Sequence, residues 1–116
     1  MSSSEKNQVW VYHKDIPVEN VPNVPGVSKH VLAYADSCMV VQNYFEEGAV
    51  GPLHSHPHTQ ITYVAEGKFE FTIGDEKRIV EKGDTLLKQD GVVHGCLCLE
   101  KGSLLDFFTP MREDFV

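Results

Sequence analysis

The sequence has no hydrophobic run that approaches the roughly 18 apolar residues of a membrane-spanning helix. Its opening, MSSSEKNQ, also lacks the apolar segment that marks a secretory signal peptide. Neither insertion into a membrane nor export is therefore signalled. We expect no membrane partner and, by default, a cytoplasmic location.

Positive charge is scarce as well. The chain has 10 Lys and Arg against 17 Asp and Glu, which gives a formal net charge of −7. No Lys/Arg cluster runs along any segment, so the basic surface that nucleic-acid binding needs is missing. We expect no nucleic-acid partner.

Cysteine is limited to Cys38, Cys96 and Cys98. An odd number, with two of the three on one predicted strand, does not suit a disulfide framework, so we expect reduced thiols. Cys96 and Cys98 share strand parity with His94, which leaves open a thiolate near a metal. Free cysteine is among the most buried residue types, however, and small buried side chains are the favoured interpretation.

A convincing helical period is also missing, and short runs rich in Val, Ile, Phe and Tyr alternate with turn signals instead. The clearest alternation places Phe69, Phe71 and Ile73 on one face of a strand. Turns that recur about every eight to twelve residues are typical of an all-β sandwich or barrel. The predicted turns are Asp36-Ser37, Glu47-Gly48, Glu66-Gly67, Gly74-Asp75, Lys82-Gly83, Asp90-Gly91 and Lys101-Gly102.

The length of 116 residues suits one domain with a single core. We predict an all-β, single-domain jelly-roll barrel, in which a double sheet closes and leaves few exposed strand edges. Residues 1–8 are expected to form a frayed lead and Val9–His13 a short strand. Residues 103–116 are expected to form the last strand and a C-terminal tail.

What the sequence does contain is a dense group of histidines, HSHPHTQ at residues 54–60. Alternate side chains of a strand point to one face, so His54, His56, His58 and Gln60 would lie together if the backbone stayed regular. Pro57 favours a bend that turns His58 away. Imidazole and amide ligands suit a divalent transition ion. The alternative is a cluster of surface histidines in a polar turn.

The spacing of Gly48, His54, His56, Gln60 and Gly67 resembles the first motif of the cupin family. In that motif the position of Gln60 is usually a glutamate. An amide there removes one negative charge and leaves an all-neutral ligand set, which makes the bound ion more Lewis-acidic.

A second stretch resembles the second cupin motif through Gly83, Gly91 and His94. It departs from that motif at Gln89, where a proline is expected, and at Cys98, where an asparagine is frequent. The resemblance implies a cupin jelly-roll barrel with one metal ion and open coordination positions. The metal could be nickel, zinc, iron, manganese, cobalt or copper, and its implied ligands are His54, His56, Gln60 and His94.

Nearly everything after residue 27 is similar to the KdgF family of small pectin-degradation cupins. The similarity lies in VLAY, HSHPH with QITYV, GKFEFTIG, VVHGCLCLE and the ending LLDFFTPMREDF. It implies conversion of 4,5-unsaturated uronate monosaccharides, released by pectin or alginate breakdown, into linear 5-keto-4-deoxyuronate. The expected partner is thus a small anionic sugar.

The same resemblance implies roles for C-terminal residues: Asp106 as general acid/base, Arg112 as partner of the substrate carboxylate, and Phe108 as a wall of the pocket. The residue types are consistent with these roles. An Asp amid LLDFF needs a polar partner in a core, and a chain of charge −7 needs a local cation to bind a sugar acid. His58 is either a pocket residue in contact with substrate or a surface residue.

Two other functions share the histidine pattern. One is a cupin dioxygenase that uses iron and a small thiol or flavonol substrate, and the other is a non-catalytic sugar-binding cupin. For the assembly we expect a homodimer, formed by strand addition through an apolar edge strand at residues 9–12.

Overall fold

The structure, a computed structural model, describes residues 6–116, so positions 1–5 of the predicted lead lie outside the described residues. Eight β-strands make up the fold, and no α-helix occurs among the described residues. The strands are β1 (Glu19–Asn20), β2 (Val27–Ala35), β3 (Cys38–Phe45), β4 (Val50–His54), β5 (Thr59–Ile73), β6 (Glu76–Glu81), β7 (Thr85–Lys88) and β8 (His94–Thr109). Short 3₁₀ turns at His13–Asp15 and Glu113–Phe115 flank them. Residues 6–116 contain no helix long and apolar enough to span a membrane.

Two long antiparallel strands, β5 and β8, pair along almost their whole lengths and form the centre of the fold. The C-terminal half of β8 also pairs with β3, and its N-terminal half pairs with β4. In the same way β5 pairs with β7 through its first residues and with β6 through its last. Each long strand therefore serves two half-sheets, which is the double-sheet jelly roll that the turn spacing predicts.

The predicted turns at Glu66-Gly67 and Lys101-Gly102 are wrong, because β5 and β8 run through both positions. The pairing register shifts on either side of Glu66, and Gly67 adopts a positive φ of 85°. A Cβ atom at Gly67 would lie only 2.5 Å from the carbonyl oxygen of Glu100. The glycines therefore mark a bulge where two strands cross closely, and the strands bend there without ending.

The barrel interior holds two apolar clusters. Phe69 and Phe71 are buried on one face of β5, as their alternation predicts. The larger apolar cluster consists of Val27, Phe45, Ala49, Val64, Phe69, Phe71, Cys98 and Leu104. The smaller consists of Val31, Met39, Val41 and Phe108, with the tail residues Met111 and Phe115 packed against it. The polar side chains of the candidate site lie between these clusters.

The strand predicted at Val9–His13 is wrong. Residues 9–12 form no strand, and His13 begins a 3₁₀ turn. His13 Nε2 lies 2.9 Å from the hydroxyl of Tyr44 and 3.1 Å from Oε1 of Gln42, so side-chain hydrogen bonds hold this segment on the outside of β3. The edge strand through which we expected the dimer to form is therefore absent, and a homodimer stays a prediction.

Candidate metal centre and its cavity

Three histidines converge at one mouth of the barrel. His54 ends β4 and is paired in register with His94, the first residue of β8. His56 follows in the connection to β5. One ring nitrogen from each of the three lies within 4.8 Å of the others, a spacing at which they could hold a metal ion. The sequence pattern predicted this group correctly.

The hydrogen bonds of these imidazoles aim their free nitrogens at a common point. Each Nδ1 lies within hydrogen-bond distance of a backbone carbonyl two residues away in the chain; the acceptors are Pro52 for His54 at 2.9 Å, His58 for His56 at 3.2 Å and Val92 for His94 at 3.0 Å. A carbonyl can only accept, so Nδ1 carries the hydrogen and Nε2 keeps its lone pair. The Nε2 atom of His94 is buried and has no hydrogen-bond partner among the described residues.

Gln60 adds an oxygen to the three nitrogens. Its Nε2 donates to Oδ1 of Asp106 at 2.8 Å, so its Oε1 faces Nε2 of His56 at 2.9 Å. With the proton of His56 on Nδ1, two lone pairs then face each other at this distance. A cation coordinated by both atoms would remove that conflict, so the donor set fits a transition metal ion.

Burial keeps the histidines in their ligand form. Loss of solvent lowers the pKa of His94 from 6.5 to about 4, and it also lowers the pKa of His56. Both imidazoles are therefore neutral near pH 7, the state in which Nε2 can bind a metal.

His58 does not join this group. The chain bends at Pro57, and His58 Nε2 lies 3.1 Å from the carbonyl oxygen of Met111 in the C-terminal tail. The predicted bend is thus present. The ring of His58 packs against that of His56, with centroids 5.5 Å apart, and contacts the tail. Contact between His58 and a substrate stays a prediction.

Asp106, on β8, lies next to Gln60 and is only 5% exposed. Its Oδ1 accepts hydrogen bonds from Thr62 Oγ1 at 2.5 Å and from Gln60 Nε2 at 2.8 Å, and its Oδ2 accepts one from Asn43 Nδ2 at 2.6 Å. These are the polar partners that the sequence required for an aspartate amid LLDFF. Three donors fix the orientation of the carboxylate.

Lys88, which sequence reasoning missed, is the buried cation of this network. It is 2% exposed, and its Nζ donates to Oγ1 of Thr62 at 2.6 Å, so Thr62 connects the ammonium group to Asp106. Burial lowers the pKa of Lys88, and the negative charge of Asp106 opposes that effect. The sequence offers no signal for this burial, because Leu86 and Leu87 are both apolar, and only the structure shows that Lys88 shares a face with the partly buried Leu86.

The C-terminal tail closes one side of the site. Arg112 pairs with Asp114 through two hydrogen bonds, Nε to Oδ1 at 3.0 Å and Nη2 to Oδ2 at 2.8 Å. The guanidinium carbon lies 5.4 Å from the ring centroid of Phe108 and 4.4 Å from that of Phe115. Arg112 thus lies beside the cavity, and its contact with a substrate carboxylate stays a prediction.

Most of these side chains line one cavity of about 250 Å³, although His56, His58 and Thr62 do not. Sites for drug-sized ligands measure roughly 300–1,000 Å³, so this volume suits a smaller molecule such as one sugar ring. Its polar lining consists of Lys29, Asn43, His54, Gln60, Lys88, His94, Asp106 and Arg112, and Phe71, Phe108 and Phe115 supply aromatic walls.

All three cysteines are free, as expected. Cys98 follows the favoured interpretation and is buried in the apolar cluster, whereas Cys38 is exposed. Cys96 lines the cavity, but burial raises the pKa of its thiol to about 12. A protonated thiol is a poor metal ligand, and Cys96 is not part of the histidine group.

The fold and the histidine group define the class of protein. Residues 43–107 match the model of the Cupin domain family, and the chain belongs to the cupin family. Within it, the chain is 42% identical over 93 residues to the pectin degradation protein KdgF of Dickeya dadantii (strain 3937), covering 78% of this chain and 84% of that protein.

Solved structures agree with this membership. The KdgF structure from a Halomonas species superposes with a TM-score of 0.87 at 33% identity, covering 94% of this chain and 99% of that one. An RmlC-like cupin from Shewanella frigidimarina superposes with a TM-score of 0.90 at 31% identity, covering 96% and 98% of the two chains.

Proposed function

We propose that this protein is a metal-dependent enzyme that converts 4,5-unsaturated uronate monosaccharides from pectin or alginate breakdown into linear 5-keto-4-deoxyuronate. The observation that carries the proposal is the hydrogen bond between Gln60 and Asp106, because Gln60 also contacts His56 and so links a buried carboxylate to the histidine group. The similarity to a pectin degradation protein supports the choice of substrate class.

The residues assigned to the metal are His54, His56 and His94 through Nε2 and Gln60 through Oε1. Any divalent transition ion among nickel, zinc, iron, manganese, cobalt and copper is compatible with three imidazoles and an amide oxygen. When bound, such an ion supplies Lewis-acid polarisation of a substrate oxygen.

Asp106 is assigned the proton transfers. Its carboxylate accepts the proton of the C1 hydroxyl as the C1 carbonyl forms and the bond from C1 to the ring oxygen breaks. The electrons of that bond form an enolate at the ring oxygen, C5 and C4. Asp106 then returns a proton to C4, which leaves the keto group at C5, so the reaction is an isomerisation with no net proton change.

Arg112 is assigned to the substrate carboxylate, since guanidinium binds a carboxylate in a planar, bidentate manner. Phe108, 5.6 Å from His56 between ring centroids, is assigned the apolar wall of the pocket. His58 is retained as a candidate substrate contact at the edge of the site. Lys29 and Lys88 add positive charge to a cavity that must receive an anion in a protein of charge −7.

The test is to add an unsaturated uronate to the purified, metal-loaded protein while ultraviolet absorbance and dissolved oxygen are recorded together. We expect the absorbance of the conjugated enol to disappear with no oxygen uptake. Oxygen uptake would instead indicate a dioxygenase, and binding with no change in absorbance would indicate a sugar-binding protein. Either result would overturn the proposal.

A further inference from the structure

The ion pair between Arg112 and Asp114 is asymmetric in a way that matters for ligand binding. Asp114 occupies the side edge of the guanidinium, at Nε and Nη2. A guanidinium has five N–H donors, and those at Nη1 form no hydrogen bond within residues 6–116. The end of the planar fork is therefore available to a second carboxylate.

Burial distinguishes the two partners. The side chain of Arg112 is only 13% exposed and lines the cavity, whereas that of Asp114 is 60% exposed and is not part of the cavity lining. Asp114 thus contacts the guanidinium from the solvent side and leaves the cavity side open. If Asp114 occupied the position of the ligand, its carboxylate would line the cavity, and it does not.

The tail that carries both residues is held down by aromatic contacts. Phe115 packs edge-on against Phe108 with ring centroids 5.8 Å apart, and Nζ of Lys29 lies 3.3 Å above the Phe115 ring. Arg112 lies on the same ring at 4.4 Å. These contacts fix the backbone of the tail, while the ion pair fixes the orientation of the guanidinium within it.

We propose that Asp114 is a positioning residue, which holds Arg112 in the orientation that receives the carboxylate of the substrate. The inference rests on the proposed function, in which Arg112 binds a sugar acid. Arginine has many rotamers, and ordering it before binding removes an entropy cost that the ligand would otherwise meet. This gain opposes the repulsion between Asp114 and the incoming anion.

The test compares the full-length, metal-loaded variants D114N and D114E with the matched control E113Q, which removes one exposed carboxylate a residue earlier. We expect KM for an unsaturated uronate to rise about three- to tenfold in D114N, the range for ordering one long side chain on binding. The value of kcat, the metal content and the Tm should stay the same. D114E should recover most of the affinity, and E113Q should behave like the wild type.

A fall in KM in D114N would overturn the inference, because it would mean that Asp114 competes with the substrate. An equal rise in D114N and E113Q would also overturn it, because net charge alone would then explain the effect. The double variant R112A/D114N should bind no more weakly than R112A, since Asp114 acts only through Arg112. An unchanged KM in D114N together with a raised KM in R112A would overturn this inference alone. An unchanged KM in R112A would instead reject the assignment of Arg112 in the proposed function.

Discussion

Gln60 donates a 2.8 Å hydrogen bond to Asp106, and this contact joins the histidine group to the buried carboxylate. The amide at Gln60 is therefore constrained on both sides, because its nitrogen must donate to Asp106 while its oxygen faces His56. A glutamate, which is usual at this cupin position, accepts on both sides.

The first prediction follows for Gln60→Glu. The new carboxylate should keep the metal bound, yet it cannot donate to Asp106 and places a like charge beside it. We expect kcat to fall at least about tenfold, the lower part of the range for a residue that supports a metal site. Elemental analysis and steady-state kinetics check this, and unchanged turnover with unchanged metal preference would show that the amide has no special role.

The second prediction separates ligands from neighbours among the histidines. His54→Ala and His94→Ala should each lose the bound ion, because each removes an Nε2 atom of the converging group. His58→Ala is the matched control, since its ring faces the carbonyl of Met111 and it should retain stoichiometric metal. Metal content measured by elemental analysis decides the matter. Full occupancy in both ligand variants would contradict the assignment.

The third prediction concerns the stability of the buried charges. In Asp106→Asn the ammonium of Lys88 keeps its hydrogen bond to Thr62 but loses its opposite charge nearby. We expect the free energy of unfolding to fall by roughly 3 kcal/mol, as when one partner of a buried pair is removed. Lys88→Met in the Asp106→Asn background should recover part of it. Urea unfolding measures both, and additive losses would mean that the two charges are not coupled.

The fourth prediction is a pH dependence of the metal-free protein. The pKa of His94 is lowered from 6.5 to about 4, so between these values the unfolded chain binds a proton that the folded chain does not. The contribution of His94 to the free energy of unfolding should therefore be fully present above about pH 6.5 and fall toward pH 4. The slope is at most about 1.4 kcal/mol per pH unit. Urea unfolding at pH 7 and pH 5 measures the change. The same comparison in His94→Asn should give a smaller difference, and an equal one would contradict the attribution.

The barrel and the three histidines were predictable because both depend on local pattern. Strand alternation and turn residues define the sheets, and the interval between His54 and His56 places them on one side of the chain. The second motif supplied His94, and register pairing brings it opposite His54.

The remaining features depend on contacts between distant segments. The pairs Glu66-Gly67 and Lys101-Gly102 are typical of turns in sequence. They form bulges because two strands cross closely at these glycines, which the local sequence does not show. A lysine in a short strand normally faces solvent, and the burial of Lys88 requires Thr62 and Asp106 from two other strands. Residues 9–12 are rich in β-forming residues but form no strand, and the side chain of His13 holds them to Tyr44.

The most direct test of the central claim, that Asp106 transfers the protons beside the histidine group, is the turnover number of Asp106→Asn on an unsaturated uronate at matched metal content. Asparagine keeps the shape and can still accept from Thr62 and Gln60 through Oδ1, but it loses the acceptor for Asn43 and cannot carry a proton. We predict that kcat falls roughly a hundredfold or more while the folded fraction and the bound metal stay at the wild-type level under assay conditions. A folded, metal-loaded Asp106→Asn protein with near-normal turnover would contradict the account.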